Sequence, residues 1–270
     1  MTKPFKNIRF DVKKGLATLV IDQPKFANAL DLTTLQEMHA ALQEAGLRDD
    51  VGAVLVTGVG DYFSSGFNLK RIPLEKGDTR AIQEHFQVLA MWWHQVINYV
   101  TRIKKPVLSA VNGAAAGGGL GLVLVSDLAV CVETARFLCA WHSIGIGNDT
   151  ATSYSLARIV GFRRAMELML TNRTLSAKEA LEWGMVNRVY KTGEFKERVA
   201  RVAQELADAP THLQAMAKER FHMGWRQSIE ECTEFEIQNV LASVGHPHFK
   251  QILEKFVRKE TRSDTVQVNL

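Results

Sequence analysis

Three continuous apolar runs limit the folds that this chain can adopt. They cover residues 51–57, 106–111 and 127–132, and turn-forming residues flank them. A strand with one exposed face alternates apolar and polar side chains, whereas a continuous apolar run is typical of a strand buried on both faces. Segments with helical periodicity, residues 33–45 and 79–103, lie between turn signals before and after the first run. Strands that alternate with helices predict an α/β fold.

The two ends of the chain have different patterns. Near the N-terminus, β-rich runs at 10–12 and 16–21 are split by Lys13-Lys14-Gly15, which predicts a hairpin. From residue 151 onward the pattern is almost entirely helical, with a capping box at Ser176 and helix breaks at Pro210 and Pro247. The change of pattern lies near residues 190–210. We therefore divide the chain into a core, residues 1–200, and a helical region, residues 201–270.

Composition excludes several classes of function. The 270 residues carry a net charge of only +4, and their Lys and Arg residues are scattered, so no nucleic-acid partner is predicted. Residues 1–9 have no apolar signal core, and the chain has no run of about 18 apolar residues. We expect no membrane partner and a cytoplasmic location. No histidine pair has the spacing of a zinc site, so no metal is expected.

The cysteines suggest the redox environment. Cys131, Cys139 and Cys232 are odd in number and lack C-x-x-C spacing. They are interpreted as buried thiols in a reducing compartment.

A glycine turn at residues 117–119 precedes a short apolar helix. Its spacing fits neither a dinucleotide fingerprint nor a phosphate loop. Consecutive glycines at a strand-to-helix turn can present backbone N–H groups to a developing oxyanion. Close packing of the turn against a neighbouring element is the alternative. A second loop of small residues, 64–68, could supply another N–H donor or be only a turn.

Two further positions could carry chemistry. Trp92-Trp93-His94 lies within the predicted helix 79–103. The aromatic residues can be core and the histidine structural, or His94 can be a general base in an aromatic pocket that favours its neutral form. Asp149 follows a run of small and apolar residues and precedes a helical segment. It can be a helix cap or a reactive carboxylate.

Several segments together resemble the crotonase (enoyl-CoA hydratase/isomerase) superfamily over roughly residues 5–260. They are PKFANAL at 24–30, NGAAAGGG at 112–119, SDLA at 126–129, TNRT at 171–174 and GMV at 184–186. The resemblance implies an α/β spiral of ββα turns, a helical C-terminal trimerisation region and acyl-CoA thioester substrates. It also implies that the N–H groups of Phe67 and Gly118 polarise the thioester carbonyl.

The chain departs from the hydratases of that superfamily at two positions. Gly121 and Trp141 stand where hydratases carry the two glutamates that add water to a double bond. Neither residue can transfer a proton as a carboxyl group does. Instead, Trp92-Trp93-His94 and the segment GIGNDTATSYS at 145–155 resemble the 4-chlorobenzoyl-CoA dehalogenases within the superfamily.

That closer resemblance implies hydrolytic dehalogenation of 4-chlorobenzoyl-CoA to 4-hydroxybenzoyl-CoA and halide, without a cofactor. Asp149 would be the nucleophile and form an aryl ester, His94 would be the base that activates water, and the Trp141 indole N–H would orient Asp149. Phe67 and Gly118 would bind the carbonyl oxygen. Another crotonase-fold reaction, thioester hydrolysis or enoyl-CoA hydration or isomerisation, and a non-catalytic acyl-CoA-binding protein are the alternatives.

Substrate contacts are the remaining expectation. The residues assigned to them are Trp93, Gly117, Lys25, Phe26, Lys70 and Arg71. Aromatic side chains would form the walls of the ring pocket. Lys25, Lys70 and Arg71 would meet the phosphates of coenzyme A, with Arg258, Lys259 and Arg262 reaching a neighbouring subunit's ligand. Solvated surface charge is the alternative for each of these basic residues.

Overall fold

Two β-sheets with helices around them make up the fold in a computed structural model, which describes residues 5–76 and 78–258. The strands are β1 (Ile8–Lys13), β2 (Leu16–Ile21), β3 (Ala53–Gly58), β4 (Tyr62–Ser64), β5 (Val107–Val111), β6 (Ala114–Ala116), β7 (Leu128–Val132), β8 (Arg136–Leu138), β9 (Leu175–Ser176) and β10 (Arg188–Tyr190). The helices are α1 (Leu32–Leu47), α2 (Thr79–Arg102), α3 (Gly118–Val125), α4 (Thr152–Val160), α5 (Phe162–Thr171), α6 (Ala177–Glu182), α7 (Phe195–Asp208), α8 (Thr211–Gly224), α9 (Ile229–Val244) and α10 (Phe249–Val257).

The larger sheet has six strands in the order β1-β2-β3-β5-β7-β10. β1 and β2 form the predicted antiparallel hairpin, and every pair from β2 to β10 is parallel. The three apolar runs are β3, β5 and β7, which all lie inside the sheet, and β5 is buried along its whole length. The prediction of strands covered on both faces is therefore confirmed.

The chain rises through the fold in repeated ββα units. Three of the four inner strands of the larger sheet are each followed by a short strand of the second sheet, so β3 leads to β4, β5 to β6, and β7 to β8. The second sheet has the order β4-β6-β8-β9, with β9 antiparallel at its edge. This arrangement confirms the predicted α/β spiral. β4 ends at Ser64, the first residue of the loop predicted at 64–68.

The first two helices cover one part of the core. Leu35, Met38 and Leu42 of α1 are buried, as are Trp93 and Val100 of α2. Their spacing places them on one face of each helix. α2 is thereby fixed along its length, and the side chains on its other face are left near the surface.

Helix caps agree with the sequence prediction in the C-terminal half. The Ser176 side chain accepts from the N–H of Glu179, whose carboxylate accepts from Ser176, which is the predicted capping box. Pro210 separates α7 from α8, and Pro247 lies between α9 and α10. The expectation of helix alone after residue 151 is wrong for β9 and β10, because strands of two or three residues carry no recognisable periodicity.

The last four helices differ in how they meet the core. α7 buries five side chains against the larger sheet: Phe195, Val199, Val202, Ala203 and Leu206. Neither α8 nor α9 has a fully buried residue. Residue 200, the predicted division of the chain, lies within α7, and the division itself stays a prediction.

α8 is attached to the core by a buried charge. Lys218 Nζ lies 2.7 Å from Asp127 Oδ2, and it donates to the carbonyl oxygens of Val100 and Lys105 at 2.7 and 3.1 Å. Burial lowers the pKa of the Lys218 ammonium, and Asp127 opposes that shift. These contacts satisfy all three donors of the ammonium group, which offsets its desolvation.

Two of the three cysteines have the buried thiols that the sequence predicted. Cys131 and Cys139 are buried, and burial raises the pKa of their thiols to about 12 and about 11. Cys232, on α9, is only half-buried, so the expectation of a buried thiol is wrong there because α9 does not pack into the core.

Within residues 5–76 and 78–258, no helix has both the length and the apolar composition to cross a membrane.

Candidate active site

His94 and Asp149 are in direct contact. His94 Nε2 lies 3.1 Å from Asp149 Oδ1. His94 lies on α2, and Asp149 lies in the loop between a 3-10 turn, Trp141–Ile144, and α4. The His94 side chain is 52% exposed and that of Asp149 is 27% exposed. The pair therefore places a carboxylate and an imidazole together where a substrate can reach both.

Asp149 is not a helix cap. α4 begins at Thr152, its N-cap is Ala151, and no side chain caps it. The backbone carbonyl of Asp149, rather than its carboxylate, accepts from the N–H and the hydroxyl of Thr152. The cap interpretation of Asp149 is therefore wrong, and the carboxylate is left to interact with His94.

The aromatic segment of α2 turns its side chains in different directions. Trp93 is fully buried, Trp92 packs edge-on against His39, and His94 points to the surface. Successive helical residues point about 100° apart, which accounts for this divergence. The prediction that His94 is a base buried in an aromatic pocket is therefore wrong. Its exposure is compatible with a role as a base that water can reach.

Trp141 lies at the start of the 3-10 turn and is 4% exposed. It was expected to donate its indole N–H to Asp149. Among the hydrogen bonds of the described residues, this one is not formed, and the Asp149 carboxylate contacts His94 instead. The expected hydrogen bond from the indole N–H to Asp149 is therefore absent from the described residues, whereas a role for Trp141 in orienting Asp149 stays a prediction.

Two backbone turns meet beside the site. Gly66 and Gly117 both have positive φ, 86° and 49°, which L side chains rarely adopt. A Cβ atom on Gly66 would lie 3.0 Å from the nitrogen of Gly118, so the two turns are in close contact. In the described part of the chain, the N–H groups of Phe67 and Gly118 donate to no backbone acceptor. The two interpretations of the glycine turn therefore apply together, because it packs closely against its neighbour and also has N–H groups without a backbone acceptor.

The aromatic side chains next to these turns form a wall. The Phe67 ring meets Trp93 edge to face, with centroids 6.5 Å apart. The Trp93 indole N–H is buried and has no partner in the structure described. Phe67 is close to Gly118, because a Cβ there would lie 3.8 Å from the ring. Four of the predicted residues, Phe67, Trp93, Gly117 and Gly118, are thus brought together.

The predicted coenzyme A contacts lie on two neighbouring segments. The N–H of Leu30 donates to Gly66, and that of Asn68 donates to Leu30, so residues 24–30 run beside residues 65–68. The candidates on these segments and just beyond them are exposed, namely Lys25, Phe26, Lys70 and Arg71. Arg258 is exposed at the end of α10, whereas Lys259 and Arg262 lie outside the described residues.

Sequence reasoning missed Thr150, the neighbour of Asp149. Its side chain is fully buried although its φ is 63°, and Ala151 follows with a φ of 56°. A glycine within an apolar helix, Gly121, was a possible signal, because such a glycine often admits a neighbouring group. The sequence did not show that the group beside Gly121 is the Thr150 side chain.

No metal-binding cluster is assembled by the described residues. Within that part of the chain, no group of three or more His, Cys, Asp or Glu side chains could hold an ion. The expectation that the reaction needs neither a metal nor a cofactor stays a prediction.

The fold and its relatives agree on the family. The enoyl-CoA hydratase/isomerase family profile matches residues 11–264. The chain belongs to this family. This confirms the superfamily expected from the sequence. Two Arthrobacter members, 4-chlorobenzoyl coenzyme A dehalogenase-1 and -2, are each 50% identical to the chain over 256 residues, which cover 95% of it and 92% of the relative.

Solved structures of the family share the architecture. The enoyl-CoA hydratase of Mycobacterium smegmatis is 26% identical and superposes with a TM-score of 0.87 over 94% of this chain and 97% of that one. This chain is thus an enzyme with the crotonase fold. Its sequence identity to the two dehalogenases is well above its identity to the Mycobacterium smegmatis hydratase.

Proposed function

We propose that this enzyme hydrolyses 4-chlorobenzoyl-CoA to 4-hydroxybenzoyl-CoA and chloride. The observation that carries the proposal is the contact between Asp149 and His94, 3.1 Å, with the carboxylate free of a capping role. Two relatives that are 50% identical carry the name of that activity. Gly121 and Trp141, which lack carboxyl groups, disfavour hydration of a double bond.

In the first step a carboxylate oxygen of Asp149 attacks the ring carbon that bears chlorine. The new C–O bond places an electron pair on the ring and on the thioester carbonyl oxygen. The N–H groups of Phe67 and Gly118 stabilise the charge on that oxygen. The electron pair then returns, the C–Cl bond breaks with its electrons on chloride, and Asp149 remains as an aryl ester.

In the second step water attacks the carboxyl carbon of that ester. His94 Nε2 accepts a proton from the water as the new C–O bond forms. The bond between the carboxyl carbon of Asp149 and the oxygen attached to the ring then breaks. The phenolate keeps that oxygen and takes up a proton, and the Asp149 carboxylate is regenerated with an oxygen from water. One water is consumed, and the products are the phenol, chloride and a proton. Exposure of the His94 ring supports this role, because water must reach it.

Substrate binding is assigned to the surroundings of the pair. The edge-to-face Phe67 and Trp93 rings form part of the wall for the benzoyl ring, and Trp141 is assigned to orient Asp149. Lys25, Lys70 and Arg71 bind the phosphates of coenzyme A, and Phe26 packs on its apolar parts. Their exposure beside the Phe67 loop supports this assignment.

The enzyme acts as a homotrimer in the cytoplasm in this proposal. α8, α9 and α10 expose large apolar side chains, among them Phe221, Ile229 and Phe256 at 78%, 74% and 65%. A second copy of the chain would cover such faces. The buried thiols of Cys131 and Cys139 suit a reducing compartment. Sedimentation equilibrium that gives the mass of one chain would contradict the trimer.

A halide-release assay tests the function. Purified protein given 4-chlorobenzoyl-CoA should release chloride in equal amount to the 4-hydroxybenzoyl-CoA formed. Crotonyl-CoA serves as the hydratase substrate in a parallel reaction. Absence of chloride from every 4-halobenzoyl-CoA contradicts the proposal, and hydration of crotonyl-CoA at a comparable rate would favour the hydratase alternative.

A further inference from the structure

Thr150 occupies an unusual position beside the proposed nucleophile. It directly follows Asp149, its side chain is fully buried, and its φ is 63°. A β-branched residue with positive φ is strained, and Ala151 repeats the left-handed conformation. Such strain persists only where the surroundings hold the backbone in place.

The Thr150 side chain fills the space over Gly121 on α3. A Cβ atom added to Gly121 would lie 2.3 Å from Thr150 Oγ1 and 2.4 Å from Thr150 Cβ. Real Cβ atoms do not approach other atoms so closely, so Gly121 is required for Thr150 to enter the core. α3 is buried throughout, which leaves Thr150 no room to move aside.

Hydrogen bonds tie the same turn to α4. Thr150 Oγ1 lies 3.0 Å from Thr152 Oγ1, and Thr152 Oγ1 donates to the Asp149 carbonyl oxygen at 2.6 Å. The N–H of Thr152 donates to that same oxygen at 3.1 Å. The backbone of Asp149 is thus held from both sides, by the buried Thr150 and by Thr152.

We propose that Gly121 and Thr150 are a positioning pair that aims the Asp149 carboxylate at the substrate ring and at His94. This inference rests on the proposed function of Asp149. The pair gives Gly121 a role beyond the loss of a hydratase glutamate. A carboxyl side chain at 121 and the threonine at 150 would compete for one space. The site therefore cannot hold both a hydratase carboxylate at 121 and Asp149 in the position that Thr150 gives it.

Three variants test the pair. Gly121→Ala introduces the Cβ that meets Thr150. Thr150→Gly removes the buried side chain and tolerates the positive φ. The double variant combines them and leaves the Thr150 carbonyl oxygen as the nearest of the contacting atoms, 3.1 Å from the new Cβ. Gly147→Ala is the control in the same loop, because no atom lies within 4 Å of its Cβ and its φ is not positive.

The readout is the rate of aryl-ester formation in a single turnover with 4-chlorobenzoyl-CoA, together with the Kd for benzoyl-CoA, which has no leaving group. Gly121→Ala should slow ester formation by about 100-fold, the effect of a displacement near 1 Å, and change the benzoyl-CoA Kd little. The double variant should recover much of that rate. Gly147→Ala should match the wild type.

Two measurements keep this test separate from the function itself. Crystal structures should show the distance from His94 Nε2 to Asp149 Oδ1 lengthened in Gly121→Ala and restored in the double variant. Thermal unfolding shows whether each variant is folded. Wild-type distance and rate in folded Gly121→Ala, or a double variant as slow as the single one, would overturn the pair. A wild-type enzyme without halide release would overturn the proposed function instead, with the distances still measurable.

Discussion

His94 Nε2 and Asp149 Oδ1 lie 3.1 Å apart, although 55 residues separate them in the chain. Packing of Trp93 and its neighbours fixes α2, and the turn at Thr150 fixes the loop that carries Asp149. Each partner is therefore held by a different part of the core. In the proposed mechanism, this arrangement lets the nucleophile and the base act at the same site although they lie on different backbone segments.

Asp149→Ala should abolish chloride release while the protein remains as stable as the wild type. Asp149 makes no capping bond, so the free energy of unfolding should change by less than about 0.5 kcal/mol. Asp31→Ala is the matched control, because Asp31 caps α1 through the N–H of Thr34 and its loss should cost about 1 kcal/mol. Chemical denaturation and a chloride assay measure both variants. Retained turnover in Asp149→Ala would rule out the nucleophile.

His94→Gln should release at most one chloride per active site and then stop. Formation of the aryl ester does not need the His94 base, whereas hydrolysis of that ester does. Rapid quenching followed by mass spectrometry should find the aryl group attached to Asp149. Continuous turnover at the wild-type rate would exclude His94 as the hydrolytic base.

Gly118→Pro should reduce the rate of ester formation by at least about 100-fold, because it removes one N–H donor from the carbonyl oxygen. Proline is tolerated at the first position of a helix, and Gly118 is the first residue of α3. Gly118→Ala retains the N–H and adds a Cβ whose one tight contact is the flexible end of Leu30 at 3.2 Å, with ordinary contacts to Gly66 Cα and the Phe67 ring at 3.7 and 3.8 Å. If alanine is as damaging as proline, the effect is steric and the donor role is wrong.

Lys218→Met should destabilise the enzyme by about 3–5 kcal/mol, because it leaves Asp127 partly buried without its cation. Asp127→Asn in the same background should recover part of that loss, since the uncompensated charge is removed. Equilibrium denaturation of the single and double variants measures the coupling. Additive effects would show that the ion pair does not attach α8.

Glu179 should stabilise the fold above weakly acidic pH. Hydrogen bonds from the hydroxyl and the N–H of Ser176, and then from Arg173, lower the pKa of Glu179 from its ordinary 4.5 to about 2. The folded protein therefore keeps the ionised form where the unfolded chain takes up a proton. This contribution is complete above pH 4.5 and is lost as the pH falls toward 2.

Comparison of Glu179→Gln with the wild type tests this dependence. The difference between their free energies of unfolding should shrink as the pH falls through that window. A difference that does not vary with pH would assign the effect to packing of the side chain.

Much of the architecture is encoded locally. The apolar runs that became β3, β5 and β7, the hairpin, and the capping box at Ser176 each depend on residues a few positions apart. The short strands β4, β6 and β8 were not recognisable, because three residues have no period and their pairing partners come from other turns of the spiral. The motifs around Gly117–Gly119 and Asp149 pointed to the right family for the same local reason.

The chemistry of single residues depended on contacts across the chain. Its sequence neighbours favoured a cap over a nucleophile for Asp149, whereas the structure places its carboxylate against His94, next to the strained Thr150 turn that lies over Gly121. The sequence by itself determined the α/β spiral, the family and the residue types of the site, because these depend on local periodicity and motif. Only the tertiary structure decided that His94 is exposed, that Asp149 is not a cap and that Thr150 fills the space over Gly121, because burial and hydrogen bonding are set by residues distant in sequence.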